Sequence, residues 1–263
     1  MLRYEHCPKC AHGPLPANQE LPAACPSCGI ILAKFRALAE VGGNGAALVI
    51  DEGSDHPTLK QRLFATIFHV PERIDPVGFW WRTLLLAVFA FWGLRLIALD
   101  YETGEMMNSF LHGPLLVFHE AGHVIFSVFG EFVMILGGSF AQLLMPTILA
   151  GALLLRNKDT FGAAIGTWLL GVSLLDLSPY VYDSLEPQLI LLGGHTGAEG
   201  GHDWIYLLSE TGLLSRAHAL GWLAHKMGAL MVLASIAWAG WVLIQQKQRG
   251  FVRGAGKETT GSI

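Results

Sequence analysis

The sequence predicts an all-α polytopic membrane protein of about five to six transmembrane helices, preceded by a small cysteine-containing module. Of its 263 residues, 52% are hydrophobic and only 14% are charged, far from the average of soluble proteins. The apolar residues are concentrated between positions 79 and 245, whereas residues 1–75 have ordinary polar composition. The net charge of -4, with dispersed basic residues, does not fit a nucleic-acid-binding protein, so we expect no nucleic-acid partner.

All four cysteines belong to two C-x2-C pairs near the N-terminus, Cys7/Cys10 and Cys25/Cys28. Two tight turns of this kind present four thiolates to one tetrahedral metal ion, and so short a segment cannot fold on its apolar surface alone. Because no apolar secretory signal opens the chain, we expect a cytoplasmic N-terminus, where disulfides or a redox pair are disfavoured. We therefore predict a structural zinc ribbon at residues 1–36. It resembles the ribbons that precede many bacterial membrane and regulatory domains, which implies a protein partner.

Two connecting segments follow the predicted ribbon. Residues 37–58 are rich in glycine with scattered acids, which indicates a flexible linker. From Leu59 to Phe68 apolar residues then recur at helical spacing, with basic residues between them. This pattern predicts an amphipathic helix within residues 59–76, lying either at the membrane interface or against the membrane domain.

Five apolar runs come next, each near the roughly 20 residues needed to cross the hydrocarbon. They lie at residues 79–99, 113–130, 132–155, 160–178 and 218–244. Basic residues precede the first run and recur in a predicted tail at 247–263, so both termini are expected on the cytoplasmic side of a bacterial inner membrane. An even number of crossings is then required. The short apolar stretches within 185–214 are the expected source of the missing element.

The second apolar run contains His119-Glu120-Ala-Gly-His123, an HExxH motif. On a helix the two histidines share a face and reach one metal ion, while Glu120 lies beside them, where it can take a proton from water. Ionisable groups are costly in hydrocarbon and persist there mainly when they pair, bind ions or act. The alternative is a polar cluster that only holds helices together. We predict a catalytic zinc ion bound by His119 and His123, with Glu120 as the catalytic base.

A catalytic zinc ion needs a third protein ligand and keeps a fourth position for water. Asp203 follows two glycines and begins an apolar, helix-like run, so it is the preferred candidate, with a helix N-cap as its alternative role. The other candidates for the third ligand are Asp183, His202 and Asp176.

The HEAGH motif, the segment 130–139 after it and a distant aspartate before another helix resemble the site-2 protease family of intramembrane zinc metalloproteases. The resemblance spans about residues 113–215 and implies that residues 77–246 form a membrane metalloprotease-like domain. It implies His119, His123 and a distant aspartate as zinc ligands, Glu120 as the general base, and a transmembrane protein or peptide as the substrate.

The aspartate of that family usually lies in a Leu-Asp-Gly context, whereas Asp203 stands between His202 and Trp204. The family often has an Asn-x-x-Pro element shortly before its aspartate, and here Asp176-Leu-Ser-Pro179 has only the proline spacing. If that segment is the equivalent element, Asp183 becomes the stronger ligand candidate. A non-proteolytic membrane zinc-binding protein, such as a sensor, transporter or scaffold, is the competing interpretation.

Overall fold

The computed structural model describes residues 5–7, 9–15, 24–30, 32, 58–70 and 75–250. The chain divides into two units, Met1–Asp55 and His56–Ile263, and each is described by itself. The predicted linker at 37–58 lies outside the described residues except for Thr58, and so does the predicted tail beyond Gly250.

The described part of the second unit is built from helices. They are α1 (Leu59–Ile67), α2 (Pro76–Ile97), α3 (His112–Phe126), α4 (Glu131–Leu155), α5 (Thr160–Asp183), α6 (Asp203–Glu210) and α7 (Ala217–Arg249). Within these residues the extended pairing is one isolated bridge between Ile190 and Thr196, in the loop before α6. The predicted all-α class is therefore confirmed.

Four helical segments are long and apolar enough to cross a membrane: α2, α4, α5 and Leu214–Arg249, which contains α7. They correspond to four of the five predicted runs, although α5 continues to Asp183 and α7 extends into the predicted tail. The remaining predicted run, at residues 113–130, forms α3, which has 15 residues and ends in a 3-10 turn at Ser127–Phe129. Since this is shorter than the roughly 20 residues of a full span, the predicted count of five to six crossings stays a prediction.

The helix α5 is the centre of the second unit. In the most apolar 18-residue stretch of α5, 67% is buried inside the protein, compared with 11–33% for the other three candidate spans. It packs on α7 through small residues, because a Cβ added to Gly171 would lie only 2.9 Å from the carbonyl oxygen of Gly228. Small residues at such crossings let helix backbones approach closely. Polar side chains of α5 that point to α3 and α4 are consequently enclosed by protein.

The helix α1 begins with a capping box between Thr58 and Gln61 and ends at Ile67, nine residues short of the predicted limit. Its end is tied to the membrane-type helices, because Trp238 Nε1 donates to the carbonyl of Ile67 and Arg249 donates to that of Val70. Its apolar side chains nevertheless stay exposed, as expected of an interfacial helix. These exposed side chains are Leu59, Leu63, Phe64 and Ile67.

Candidate metal centres

The first candidate centre consists of the four cysteines of the N-terminal unit. Both C-x2-C turns close in the same way, with Ala11 N donating to the carbonyl of Cys7 and Gly29 N donating to that of Cys25. Ala11 and Gly29 both have positive φ, 57° and 69°. The two turns are therefore local repeats of one conformation, and in each the first cysteine, Cys7 or Cys25, is the buried one.

The spacing of the four sulfur atoms fits one metal ion. Cys7 Sγ lies 3.6 Å from Cys28 Sγ, and Cys10 Sγ lies 3.8 Å from Cys25 Sγ. A tetrahedral ion with metal–sulfur bonds of about 2.3 Å would separate its sulfur ligands by about 3.8 Å. All four thiols are free, so the cluster is a candidate metal-binding site and not a pair of disulfides.

Replacing Cys25 by serine is expected to reduce the zinc content of the purified full chain by one ion. The described core of this unit adds only Leu15, Leu32 and the partly buried Ile30 to the cysteines, which is too little apolar surface to fold without metal. Metal analysis of the intact protein measures this loss. Ser27→Ala, in the same turn, is the matched control and should keep full zinc; equal zinc in the Cys25 variant would contradict the four-cysteine site.

The second candidate centre lies on α3, where His119, Glu120 and His123 each offer a ligand atom within 4.8 Å of the other two. His119 is buried, at 5% exposure, although it lies in an apolar helix. The helix can approach α4 closely because Gly122 packs against the backbone of Gly137, where an added Cβ would collide with the Gly137 carbonyl. This contact brings the histidine face of α3 against α4.

The structure brings Asp203 to both histidines. Asp203 Oδ2 lies 2.8 Å from His119 Nε2 and 3.2 Å from His123 Nε2. Asp203 is the first residue of α6, and its backbone N–H donates to the hydroxyl of Tyr180 on α5. The N-cap of α6 is His202, whose Nδ1 accepts from the backbone of Ile205, so the carboxylate of Asp203 is free to face α3.

The other three ligand candidates have different partners. Asp183 Oδ1 accepts from the backbone N–H groups of Gln188 and Leu189, and its Oδ2 lies 3.4 Å from His202 Nε2. Asp183 and His202 therefore pair with each other, which fixes the loop before α6. Asp176 contacts neither His119 Nε2 nor His123 Nε2, because its oxygens bond to His112 and Gln142.

Hydrogen bonding sets which nitrogen of each histidine faces Asp203. His123 Nδ1 lies 3.0 Å from the carbonyl oxygen of Met134, which can only accept, so Nδ1 carries the proton. His119 Nδ1 lies 3.0 Å from Gln142 Oε1, also an acceptor. In the neutral form both rings then present the Nε2 lone pair to a carboxylate oxygen. Asp203 Oδ2 lies 2.8 and 3.2 Å from two nitrogens whose lone pairs repel it unless a cation lies between them, either a metal ion or a proton that makes each contact an ion pair.

The donor set fits zinc. Two imidazoles and one carboxylate are a known ligand combination for catalytic zinc with an open fourth position. Zinc bonds of about 2.0–2.1 Å in a tetrahedron separate the ligand atoms by roughly 3.3 Å, close to the separations between Asp203 and the two histidines. Gly138 of α4 provides the space, since a Cβ there would lie 2.6 Å from His123 Nε2 and 2.7 Å from His119 Nε2.

These groups open into a cavity of about 760 Å³, within the size range of ligand sites. His119, Glu120, His123 and Asp203 line this cavity together with the loop that contains the Ile190 bridge. Polar and apolar side chains thus share the cavity, as they do in sites that bind peptides or other amphipathic ligands.

Gln142, Tyr180 and Gly138 also belong to this centre, although they were not among the residues predicted from the sequence. An amide such as Gln142 inside an apolar run is costly in hydrocarbon, and this signal would have singled it out. Tyr180 and Gly138 gave no such signal, because tyrosine and glycine are ordinary residues in membrane helices.

Together, the fold and the two centres define an all-helical protein with membrane-type helices, a candidate four-cysteine metal site and a candidate histidine–carboxylate metal site. No protein-family model, curated protein or solved structure matches the chain. The functional assignment rests on the geometry of the histidine–carboxylate site and on the motif resemblance.

Proposed function

We propose that this protein is an intramembrane zinc metalloprotease of the site-2 protease type, which hydrolyses peptide bonds of membrane-protein substrates. One observation carries the proposal: Asp203 Oδ2 lies 2.8 Å from His119 Nε2 and 3.2 Å from His123 Nε2, and Glu120 lines the same cavity. In this assignment His119, His123 and Asp203 hold the zinc ion. The four cysteines hold a second, structural zinc ion.

Bound zinc supplies Lewis acidity, which makes a water molecule more acidic and polarises the scissile carbonyl. Glu120 supplies the base. It follows His119 directly on α3 and lines the cavity, so its carboxylate can accept the proton of the attacking water and pass it to the leaving amine. Asp203 and the two histidines are held in place by Tyr180, Gln142 and the Met134 carbonyl, which favours a fixed ligand geometry.

The cavity rim favours an apolar substrate. Ile190 and Leu192 are 65% and 74% exposed in the loop that faces the metal ligands. A transmembrane helix has no free backbone to place at a metal site, because its carbonyls are bonded within the helix. We therefore propose that the substrate is a membrane segment that unwinds locally, and that helix-breaking residues near the scissile bond favour cleavage.

We further propose that the protein resides in a bacterial inner membrane with its N-terminus in the cytoplasm. The positive charges flanking the first candidate span support this orientation, which places the four-cysteine module on the cytoplasmic side. A module this small with exposed polar turns is suited to bind a protein partner.

Cleavage is tested with the purified full chain in detergent and synthetic membrane peptides of about 20 leucine and alanine residues. Peptides with a central Gly-Pro pair are expected to be cut, and uninterrupted peptides are expected to be cut more slowly. A chelator should stop cleavage and added zinc should restore it. Mass spectrometry identifies the new termini, and failure to cut any peptide in the zinc-loaded state would contradict the proposal.

Asp203→Asn is expected to weaken zinc binding at the histidine–carboxylate site by at least about 10-fold, because it removes the only anionic ligand among the three. Chelator competition on the full chain measures the affinity. Glu210→Gln, at the other end of the same helix, is the matched control and should bind zinc as the wild type does. If the Asp203 variant keeps its affinity and an Asp183→Asn variant loses it, the third ligand is Asp183.

A further inference from the structure

A chain of polar side chains runs from the metal-facing His119 through α4 to α5 and back to the start of α3. His119 Nδ1 lies 3.0 Å from Gln142 Oε1, and Gln142 Nε2 donates to Asp176 Oδ2 at 2.8 Å. Asp176 Oδ1 lies 3.0 Å from His112 Nδ1. His119, Gln142 and Asp176 are only 5%, 2% and 4% exposed, so most of this chain is shielded from bulk solvent.

The donors and acceptors of this chain allow one arrangement. A carboxylate can only accept, so Asp176 requires the NH₂ group of Gln142 to face it. The amide oxygen of Gln142 must then face His119, and His119 must carry its proton on Nδ1. In the neutral ring, which is the form that binds a metal ion, the lone pair of His119 is thereby left on Nε2, the atom that lies 2.8 Å from Asp203. The opposite amide orientation would place two oxygen acceptors 2.8 Å apart in a buried site, which is strongly unfavourable.

We propose that Gln142 and Asp176 are positioning residues that select the metal-binding tautomer of His119, and that His112 holds Asp176 in the orientation this requires. Asp176 then controls metal affinity without touching a ligand, because it dictates which end of the Gln142 amide faces His119. The inference rests on the zinc site of the proposed function and is independent of peptide hydrolysis.

A purely structural role is the competing explanation. Interhelical hydrogen bonds also hold membrane helices together, and their loss would loosen α3, α4 and α5 without favouring either tautomer. The two roles differ in what a conservative substitution does. For positioning, only the acceptor that faces His119 matters; for packing, any side chain of similar volume should serve.

Three substitutions in the full chain separate these roles. Gln142→Met keeps the length and removes the acceptor, and we expect a loss of about 10–100-fold in zinc affinity at the histidine–carboxylate site, the range typical of residues that orient metal ligands. Gln142→Glu keeps an oxygen that accepts from His119, and its second oxygen must carry a proton that it donates to Asp176 in place of the amide N–H. With that proton in place, its zinc affinity should stay within about threefold of the wild type. Asp176→Asn offers a donor as well as an acceptor, lets the Gln142 amide turn round, and should cost about 10-fold.

Zinc affinity is measured by chelator competition on the purified full chain, with the four-cysteine site as an internal standard that these variants should leave unchanged. Gln246→Met is the matched control for Gln142, because Gln246 is also a glutamine with 2% exposure, on α7. Ser173→Ala is the control for Asp176, because Ser173 is buried on the same helix and bonds only to the Leu169 carbonyl. Both controls should keep wild-type affinity.

The outcomes are separable from those of the proposed function. Wild-type affinity in both Gln142→Met and Asp176→Asn would overturn the positioning role while leaving the zinc site intact. Equal losses in Gln142→Glu and Gln142→Met, or in the control variants, would also overturn it, since volume and stability would then explain the data. If the wild-type chain binds zinc only at its cysteines, the zinc site of the proposed function and this inference fail together.

Discussion

Replacing Glu120 by glutamine is expected to reduce peptide cleavage by about 10²–10⁴-fold, the contribution typical of a general base. The amide keeps the shape of the side chain but cannot accept a proton from water at neutral pH. Zinc content should not change, because the His119, His123 and Asp203 atoms that converge at the site are untouched. Cleavage of the Gly-Pro membrane peptide and metal analysis of the same sample measure both effects.

The matched control for this variant is Glu131→Gln, at the exposed start of α4. It carries the same change of charge outside the cavity and should retain wild-type cleavage. If Glu120→Gln keeps full activity or an unchanged cellular phenotype with zinc still bound, hydrolysis is the wrong interpretation. A membrane zinc sensor, transporter or scaffold would then be the better account, because such a protein needs the ligands and not the base.

The sequence predicted the residues of the histidine–carboxylate site that lie on one helix. For the third ligand, which comes from a distant part of the chain, it gave only a set of candidates. His119, Glu120 and His123 lie within about one turn of one helix, so their relative position follows from helical geometry alone. Asp203 reaches them only because the chain turns at Gly200 and Gly201 and α6 starts beside Tyr180. That approach depends on tertiary packing, which the sequence does not determine. Asp183, His202 and Asp176 therefore remained alternative candidates for the third ligand.

The limits of the helices were likewise predicted only in part, because they also depend on tertiary packing. Hydropathy located four membrane-type helices, but α5 continues past its last strongly apolar residues to Asp183, where protein surrounds it. A helix buried in protein can carry polar residues such as Ser173 and Asp176 that a lipid-facing helix cannot. Composition alone does not tell these environments apart.

The histidine–carboxylate site depends on close packing between α3 and α4. The sequence did not predict this packing, because the glycines that allow it look like any other glycines of a membrane helix. Gly122 and Gly137 allow the two backbones to touch, and the next residue, Gly138, leaves room directly in front of both imidazoles. A side chain at either of the first two positions would separate the helices. A side chain at Gly138 would enter the space between the two imidazoles, where the proposed metal ion lies.

Gly138→Ala is accordingly expected to reduce zinc affinity at the histidine–carboxylate site by more than about 100-fold, beyond the range of residues that only orient ligands. The added Cβ would lie 2.6 Å from both His123 Nε2 and His123 Cε1 and 2.7 Å from His119 Nε2, far inside van der Waals contact. The rings must turn away, and their lone pairs then no longer converge with Asp203. Chelator competition and peptide cleavage should both report the loss.

Gly151→Ala is the control that makes this prediction specific, because it is the same substitution in the same helix and nothing lies within 4 Å of the added Cβ. Alanine in a helix interior is favoured over glycine by about 0.5–1 kcal/mol, so this variant should be at least as stable as the wild type and bind zinc equally. A Gly138→Ala variant that folds, as judged by thermal unfolding, and still binds zinc tightly would show that the ion does not lie between these imidazoles. The hydrolytic mechanism would then lose its physical basis, since Glu120 has no role in it away from that ion.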